Sequence, residues 1–191
     1  MDEPAKNLPS LFLFDLQEEQ LDGVQALLQE QGTQLGNITP WVRGRIKTIQ
    51  GKPYERSYHQ EDELNNPDEQ RRSAFRNRSF NLSYRNHLLE SEELLAGHPF
   101  SGTYDPTQGK PAEISVEHKY AEALGLKVGD HMGIEVAGIP IEAVVVNLRR
   151  VRWTSFQPNF FVQMQPGVLD QAPKTFLGTL HHLEQEKKER V

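Results

Sequence analysis

The chain has 191 residues, 36% of them hydrophobic and 25% charged, which is the composition of a globular protein with one substantial core or two smaller ones and excludes disorder throughout. A formal charge of -6 argues against nucleic acid as a partner, because domains that bind it are normally basic. The absence of cysteine removes disulfide frameworks, thiolate metal sites and cysteine nucleophiles together.

No apolar run approaches the ~20 residues that span a bilayer. The N-terminus has no basic region followed by an apolar core, so the chain by itself carries no export signal. Both ends are polar, and the last ten residues, His182 to Val191, have helical composition without a capping glycine. The expectation is a piece of a longer chain.

Leu11 to Gln17 is a nearly continuous apolar run after Pro9 and reads as a buried strand. Glu18 and Glu19 then suit a helix N-terminus, Leu21, Val24, Leu27 and Leu28 follow at helical spacing, and Gly32 stands at C′. From Ile38 to Ile49 the pattern is β, ended by Gly51-Lys52-Pro53, and alternation sets Arg43, Arg45 and Lys47 on one face. That basic row reads first as a solvated face or one matched to acidic neighbours. The minor alternative is a site for anionic lipid or polymer. Residues 54–77 form a polar connection, acidic over Glu61 to Glu69 and basic at Arg71, Arg72 and Arg76, with a short helix expected over 69–75. Ser79 to Tyr84 alternates as a strand, with Phe80, Leu82 and Tyr84 on one side.

Leu88 to Leu95 is expected as a helical turn or loop, and Gly97 to Pro111 as a loop. Ile114 to Val116 is a short strand, after which Ser115 is expected to cap a helix containing Tyr120, Ala121 and Leu124 and ending at Gly125. Leu126 to Val136 and Ile139 to Leu148 flank the turn Ala137-Gly138 and predict a hairpin, with Pro140 at a strand start or edge. After Arg149, Arg150 and Arg152, the run Trp153 to Leu169 reads as a buried strand closed by Pro166-Gly167. Thr175 to Leu180 is a last strand, and a charged helix begins at His182.

Few residues group as chemistry. His59, His87, His98, His118 and His131 are scattered, His181 and His182 are adjacent, and no His-Glu-x-x-His pattern occurs, so no metal site is assigned. Ser115, Glu117, His118 and Glu122 stand close together, but a capping serine explains them without catalysis. There is no Gly-x-Ser-x-Gly elbow and no phosphate-binding loop. Glu61-Asp62-Glu63 lies in the polar connection, where a preorganised acid/base pair is not expected. Sequons at Asn37, Asn77 and Asn81 are short matches of the kind that arise by chance. No catalytic, cofactor-binding or metal-ligating residue, and no cofactor, is assigned.

Five phrases taken together carry a resemblance: Leu11 to Val24, Val42-Arg-Gly-Arg-Ile46, Phe80 to Arg85, Leu124-Gly-Leu-Lys-Val-Gly-Asp130 and Pro158-Asn-Phe-Phe-Val162. In this order the chain resembles ABC-transporter permeases of the FtsX/MacB-like superfamily, most closely predicted export permeases with duplicated FtsX-like units. The resemblance implies a large extracytoplasmic loop held between two transmembrane helices, on the periplasmic or extracellular face of the bacterial inner membrane. It implies an α+β fold like the MacB periplasmic domain, with a membrane-proximal β-α-β lobe of residues 1–53 plus 154–191. A mostly β lobe of residues 54–153 is inserted into it, beginning with the polar linker 54–77. The implied role is non-catalytic coupling of ATP-driven helix movement to export or release of a lipid, lipoprotein or peptide. The implied partners are a cytosolic ABC ATPase acting through the full-length permease, and a second permease copy or second loop. The alternative is an interaction module that recruits or activates a cell-envelope enzyme. A free-standing enzyme relying on His118 or Ser115 ranks last.

Overall fold

The computed structural model describes residues 9–54, 80–155 and 157–181. The described residues begin with β1 (Pro9–Leu16), α1 (Leu21–Glu30), β2 (Leu35–Ile49) and β3 (Lys52–Pro53). After the gap come β4 (Phe80–Tyr84), β5 (Glu92–Gly97), β6 (Ala112–Glu117) and α2 (His118–Leu124). The chain finishes with β7 (His131–Val136), β8 (Ile139–Val151), β9 (Val162–Met164) and β10 (Thr175–His181). The polar connection from residue 55 onward, the short helix expected over 69–75 and the helix expected from His182 lie outside the described residues. No helix among the described residues is long and apolar enough to cross a membrane.

The chain divides into two compact units, Met1–Trp41 with Arg152–Asn159 and Pro173–Val191, and Val42–Val151 with Phe160–Ala172. The sequence reading set its boundaries at 53/54 and 153/154. β2 runs unbroken through the change of unit at 41/42, and Lys52–Pro53 pairs back on its end as β3.

In the first unit β10 lies between β1 and the first half of β2, antiparallel to both, with Leu11 opposite Leu180 and Phe176 opposite Pro40. Alternation along β1 turns Leu11 and Leu13 toward Leu28, Leu35 and Leu180, and α1 closes this core with Leu21 and Val24. Gly32, at φ 72, ends α1: its N–H bonds to the Gln29 carbonyl and that of Thr33 to Leu28, which satisfies two terminal acceptors. Leu27, expected in the core, is exposed. At 100° per residue it falls outside the stripe that Leu21, Val24 and Leu28 share.

In the second unit six strands close on themselves in the order β2, β4, β9, β6, β8, β7 and back to β2. Neighbours are antiparallel except β4 with β9 and β6 with β8. For the β6/β8 pair the connection through α2 and β7 supplies the crossover that parallel strands require. Val42, Leu82, Ile114, Val116, Met132 and Val162 are among the buried residues of this core. A Cβ on Gly44 would stand 2.6 Å from the Leu82 side chain, so a glycine lets β2 approach β4 there. Tyr120 of α2 stacks on Phe161 with ring centroids 5.0 Å apart.

The expected hairpin forms, with Val136 opposite Ile139 and Pro140 at the start of β8. Three local expectations are corrected. Within Leu88 to Leu95, the residues from Glu92 onward belong to an edge strand, β5, paired with β8 rather than to a helical turn. Ser115 lies inside β6, and α2 is capped by Glu117, whose carboxylate accepts from the Tyr120 N–H at 2.9 Å. The run Trp153 to Leu169 is a strand only over Val162–Met164; Trp153 starts a single 3-10 turn and is half exposed. Aromatic content there marks packing against several partners, not one continuous pleat.

Candidate functional site

The site grows from one register shift in the second unit. Along β6 and β8 the pairs Ala112 with Ala143 and Ile114 with Val145 lie in step, but Ser115 then meets Asn147 and Glu117 meets Arg149, leaving Val146 as a bulge on β8. Ala143 and Val145 belong to the barrel core. Strict alternation would have carried Asn147 and Arg149 into the same core, and the extra residue moves both to the opposite face. Gly97 of β5 fits this bulge: at φ 84, a Cβ on it would stand 2.0 Å from the Val146 carbonyl oxygen. That oxygen accepts the His98 N–H at 3.1 Å.

On this face Ser83, Gln163, Ser115 and Asn147 stand in register across β4, β9, β6 and β8, and all four are buried. The Ser115 hydroxyl donates to Asn147 Oδ1, and Asn147 Nδ2 donates to the His98 carbonyl at 2.9 Å. Beside them Arg149 is completely buried, its Nη1 3.2 Å from Glu92 Oε1 and its Nη2 donating to the Phe160 carbonyl. Glu92, also fully buried, takes Arg85 Nη2 at 2.6 Å and the Leu89 N–H at 3.0 Å. Burial lowers the Arg149 pKa to about 10, with Glu92 and Glu117 opposing the fall and Arg85 adding to it, so the guanidinium is charged at neutral pH. Burial likewise lowers Arg85, against the pull of Glu92.

Polar groups of this cluster remain unpaired. Arg149 Nε has no hydrogen-bond partner, and its Nη1 lies near Glu92 without hydrogen-bond alignment. The Gln163 amide, buried on β9, has a partner for neither its oxygen nor its nitrogen. Arg149 and Gln163 are among the residues around a cleft of about 270 Å³ that Arg85, Leu88, Leu94, Pro99 and Phe100 also line. A mostly apolar lining with a few polar side chains around it is the usual make-up of a ligand cleft.

The residues singled out in the sequence fall elsewhere or play other parts. Arg43, Arg45 and Lys47 are exposed, and Lys47 Nζ lies 3.3 Å from Glu135 Oε2, which matches at least that position to an acidic neighbour. His118 Nδ1 lies 2.9 Å from Glu117 Oε1, while the Ser115 hydroxyl is engaged by Asn147 and Glu122 is exposed. The triad-like grouping is therefore not assembled. Among the described residues no group of three His, Asp or Glu is placed to hold a metal. Sequence reasoning passed over Arg149, Glu92, Arg85 and Gln163. The available signal was Arg149 directly after Leu148 and close to Val151, at the end of an apolar strand where a solvated cation has no place.

Over most of its length the chain is related to an ABC transporter permease. It is 30% identical over 169 residues to the uncharacterized ABC transporter permease YbbP of Escherichia coli (strain K12), an alignment covering 88% of this chain. The chain spans under a fifth of that relative, 18% of its length. No protein-family model and no solved structure matches the chain.

Proposed function

We propose that this chain is an extracytoplasmic domain of an ABC transporter permease, with a fold of the MacB periplasmic-domain kind. In this reading it is non-catalytic and couples ATP-driven movement of flanking transmembrane helices to export or release of a cell-envelope substrate. A cytosolic ABC ATPase acts on it through the full-length permease, and a second permease copy or loop faces it. The observation that carries the reading is the alignment to a permease over 88% of the chain. The pairing of β1 with β10 supports it, since Pro9 stands opposite His181 and a loop between two helices must return to its starting point. Coupling of this kind needs packed units that move as bodies more than reactive side chains. Kinship with a transporter permease also fits a role other than catalysis.

The chain has no cysteine, so a thiol introduced into it is the one reactive thiol of this domain, and labelling is read against the unsubstituted full-length protein. Lys110 is exposed, and Lys110→Cys in the full-length gene product is expected to react with a membrane-impermeant maleimide in intact cells. Labelling only after the inner membrane is opened would overturn the extracytoplasmic assignment.

A further inference from the structure

We propose that the free edge of β5, with the cleft beside it, pairs with a short extended peptide carrying an apolar residue flanked by basic ones. This stands without the transport reading. Its first support is the backbone. β5 ends its sheet, and among the described residues β8 is the one strand it pairs with. The Glu92 N–H is taken by the Leu89 carbonyl at 2.9 Å, so Glu92 and Val151 face each other as a pair without ladder hydrogen bonds. By alternation the pair Leu94 and Arg149 is of the same kind, and Leu94 turns its N–H and C=O away from β8. The following residues Leu95, Ala96 and Gly97 are exposed, and in Gly97, which has no side chain, the exposed surface is backbone. Strand edges of this kind accept a further strand.

The second support is the cleft. Leu94 lines it with Leu88, Pro99 and Phe100, and of these Leu88 is 42% exposed and Pro99 is open to solvent as well. A residue that pairs with Leu94 from the free side sends its side chain to the same face of the sheet, roughly 5 Å from that of Leu94. An apolar side chain there meets an apolar lining. At about 270 Å³ the cleft is slightly smaller than the roughly 300 Å³ at which ordinary ligand sites begin, a size for one side chain of a longer ligand. The bulge between Leu94 and Ala96 interrupts the regular edge, which suits a short peptide better than long edge-to-edge pairing with a second copy.

The third support is charge. Glu93 lies on the face opposite Leu94, with its side chain 63% exposed and its carboxylate 2.7 Å from Arg150 Nη1 on the β8 side. Its other side is the free edge, and Glu90, just ahead of β5, is exposed. The residues before and after the apolar one in an added strand fall on the Glu93 face. Cross-strand pairs of opposite charge are favoured and like charges opposed, so those residues are basic.

Isothermal titration of the 191-residue chain with acetyl-Lys-Val-Lys-Phe-Lys-Val-Lys-amide tests this, beside the same peptide N-methylated at phenylalanine and beside its counterpart with glutamate for lysine. Saturable one-to-one binding of the lysine peptide is expected, with the other two each at least about tenfold weaker, the factor for one hydrogen bond or one charged pair. The N-methylated peptide keeps charge and apolar content, so it separates edge pairing from the attraction of any basic peptide to an acidic chain. Amide exchange followed by NMR is expected to slow at Leu94 with the lysine peptide and to stay unchanged with the N-methylated one. Glu93→Lys, at an exposed position and checked for folding by circular dichroism, is expected to reverse the preference between the lysine and glutamate peptides. No saturable binding up to millimolar concentration overturns the proposal, as does an N-methylated peptide that binds as tightly. So does a Leu94 amide unprotected at saturation, or a folded Glu93→Lys variant that still prefers the lysine peptide. Protection of Leu94 that grows with chain concentration alone assigns the edge to a second copy and overturns it equally.

Discussion

The Arg149 guanidinium lies 3.2 Å from the Glu92 carboxylate, and neither side chain is exposed to solvent. Arg85 reaches the same carboxylate oxygen at 2.6 Å, so Glu92 stands between two cations that burial would otherwise leave facing each other. Removing one member of a buried pair is far more damaging than the pair is stabilising, because the other charge remains desolvated. Glu92→Gln keeps the shape and deletes the charge, and is expected to destabilise the second unit by roughly 3 to 5 kcal/mol in urea unfolding. Replacing Glu92 by Leu and Arg149 by Met together is expected to recover most of that loss. A double variant as unstable as Glu92→Gln would mean that the pair is held for more than charge balance.

Arg149 also sets a pH dependence. Desolvation is the largest influence on it, and its folded pKa of about 10 lies well below the ordinary arginine value. Between those values the unfolded chain binds the proton that the native state has lost, so this group's contribution to stability rises with pH across that window. Below about pH 10 both states are protonated and the group contributes no slope. Nitrogen and Cζ resonances of the arginine side chains check this directly: the Arg149 signal is expected to titrate near pH 10. An Arg149 signal unmoved to pH 11 contradicts the burial argument.

Ser115 and Glu117 exchange the roles that spacing alone assigns them. Ser115 lies in β6 and bonds to Asn147, whereas Glu117 caps α2 through the Tyr120 N–H. Ser115→Ala is therefore expected to lose about 1 kcal/mol, the ordinary worth of one buried hydrogen bond, with the amides of α2 exchanging as before. Glu117→Ala is expected to lose more, since it removes the cap and one of the two carboxylates that attract Arg149, and to speed exchange at the first turn of α2. Faster exchange of the Tyr120 amide in Ser115→Ala would restore the serine cap.

The pattern of what was legible follows from which interactions are local. The β7/β8 hairpin was readable because Ala137-Gly138, both at positive φ, carry the turn within the sequence that forms it. The strand at Phe80–Tyr84 was readable because Phe80 and Leu82 alternate with Asn81 and Ser83. By contrast β5 carries Glu92 and Glu93 and looks like a surface turn until Arg149 and Arg150 of β8 are set beside it. The buried cluster was hidden by the bulge at Val146, a change of parity that no period-two reading of β8 contains. Gln163 was hidden in another way: it lies within the run Val162–Met164, where a polar residue reads as the solvent face of a strand although its surroundings bury it.

Helix α1 provides the narrowest test of how position on a helix decides burial, because Leu27 and Leu28 are neighbours of identical chemistry. Leu28 is 1% exposed among Leu35 and Leu180, whereas Leu27 is 55% exposed. Truncating a buried leucine removes its transfer free energy and leaves a cavity, so Leu28→Ala is expected to destabilise the first unit by about 2 to 5 kcal/mol. Leu27→Ala removes only side chain already in water and gains the helix propensity of alanine, so its effect is expected within about 0.5 kcal/mol of zero. Parallel urea titrations followed by Trp41 fluorescence compare the two, since Trp41 belongs to the same unit and its ring lies 6.4 Å from that of Phe14 on β1. Equal losses in the two variants would place Leu27 in a packed environment and rotate the buried stripe of α1 away from Leu21, Val24 and Leu28.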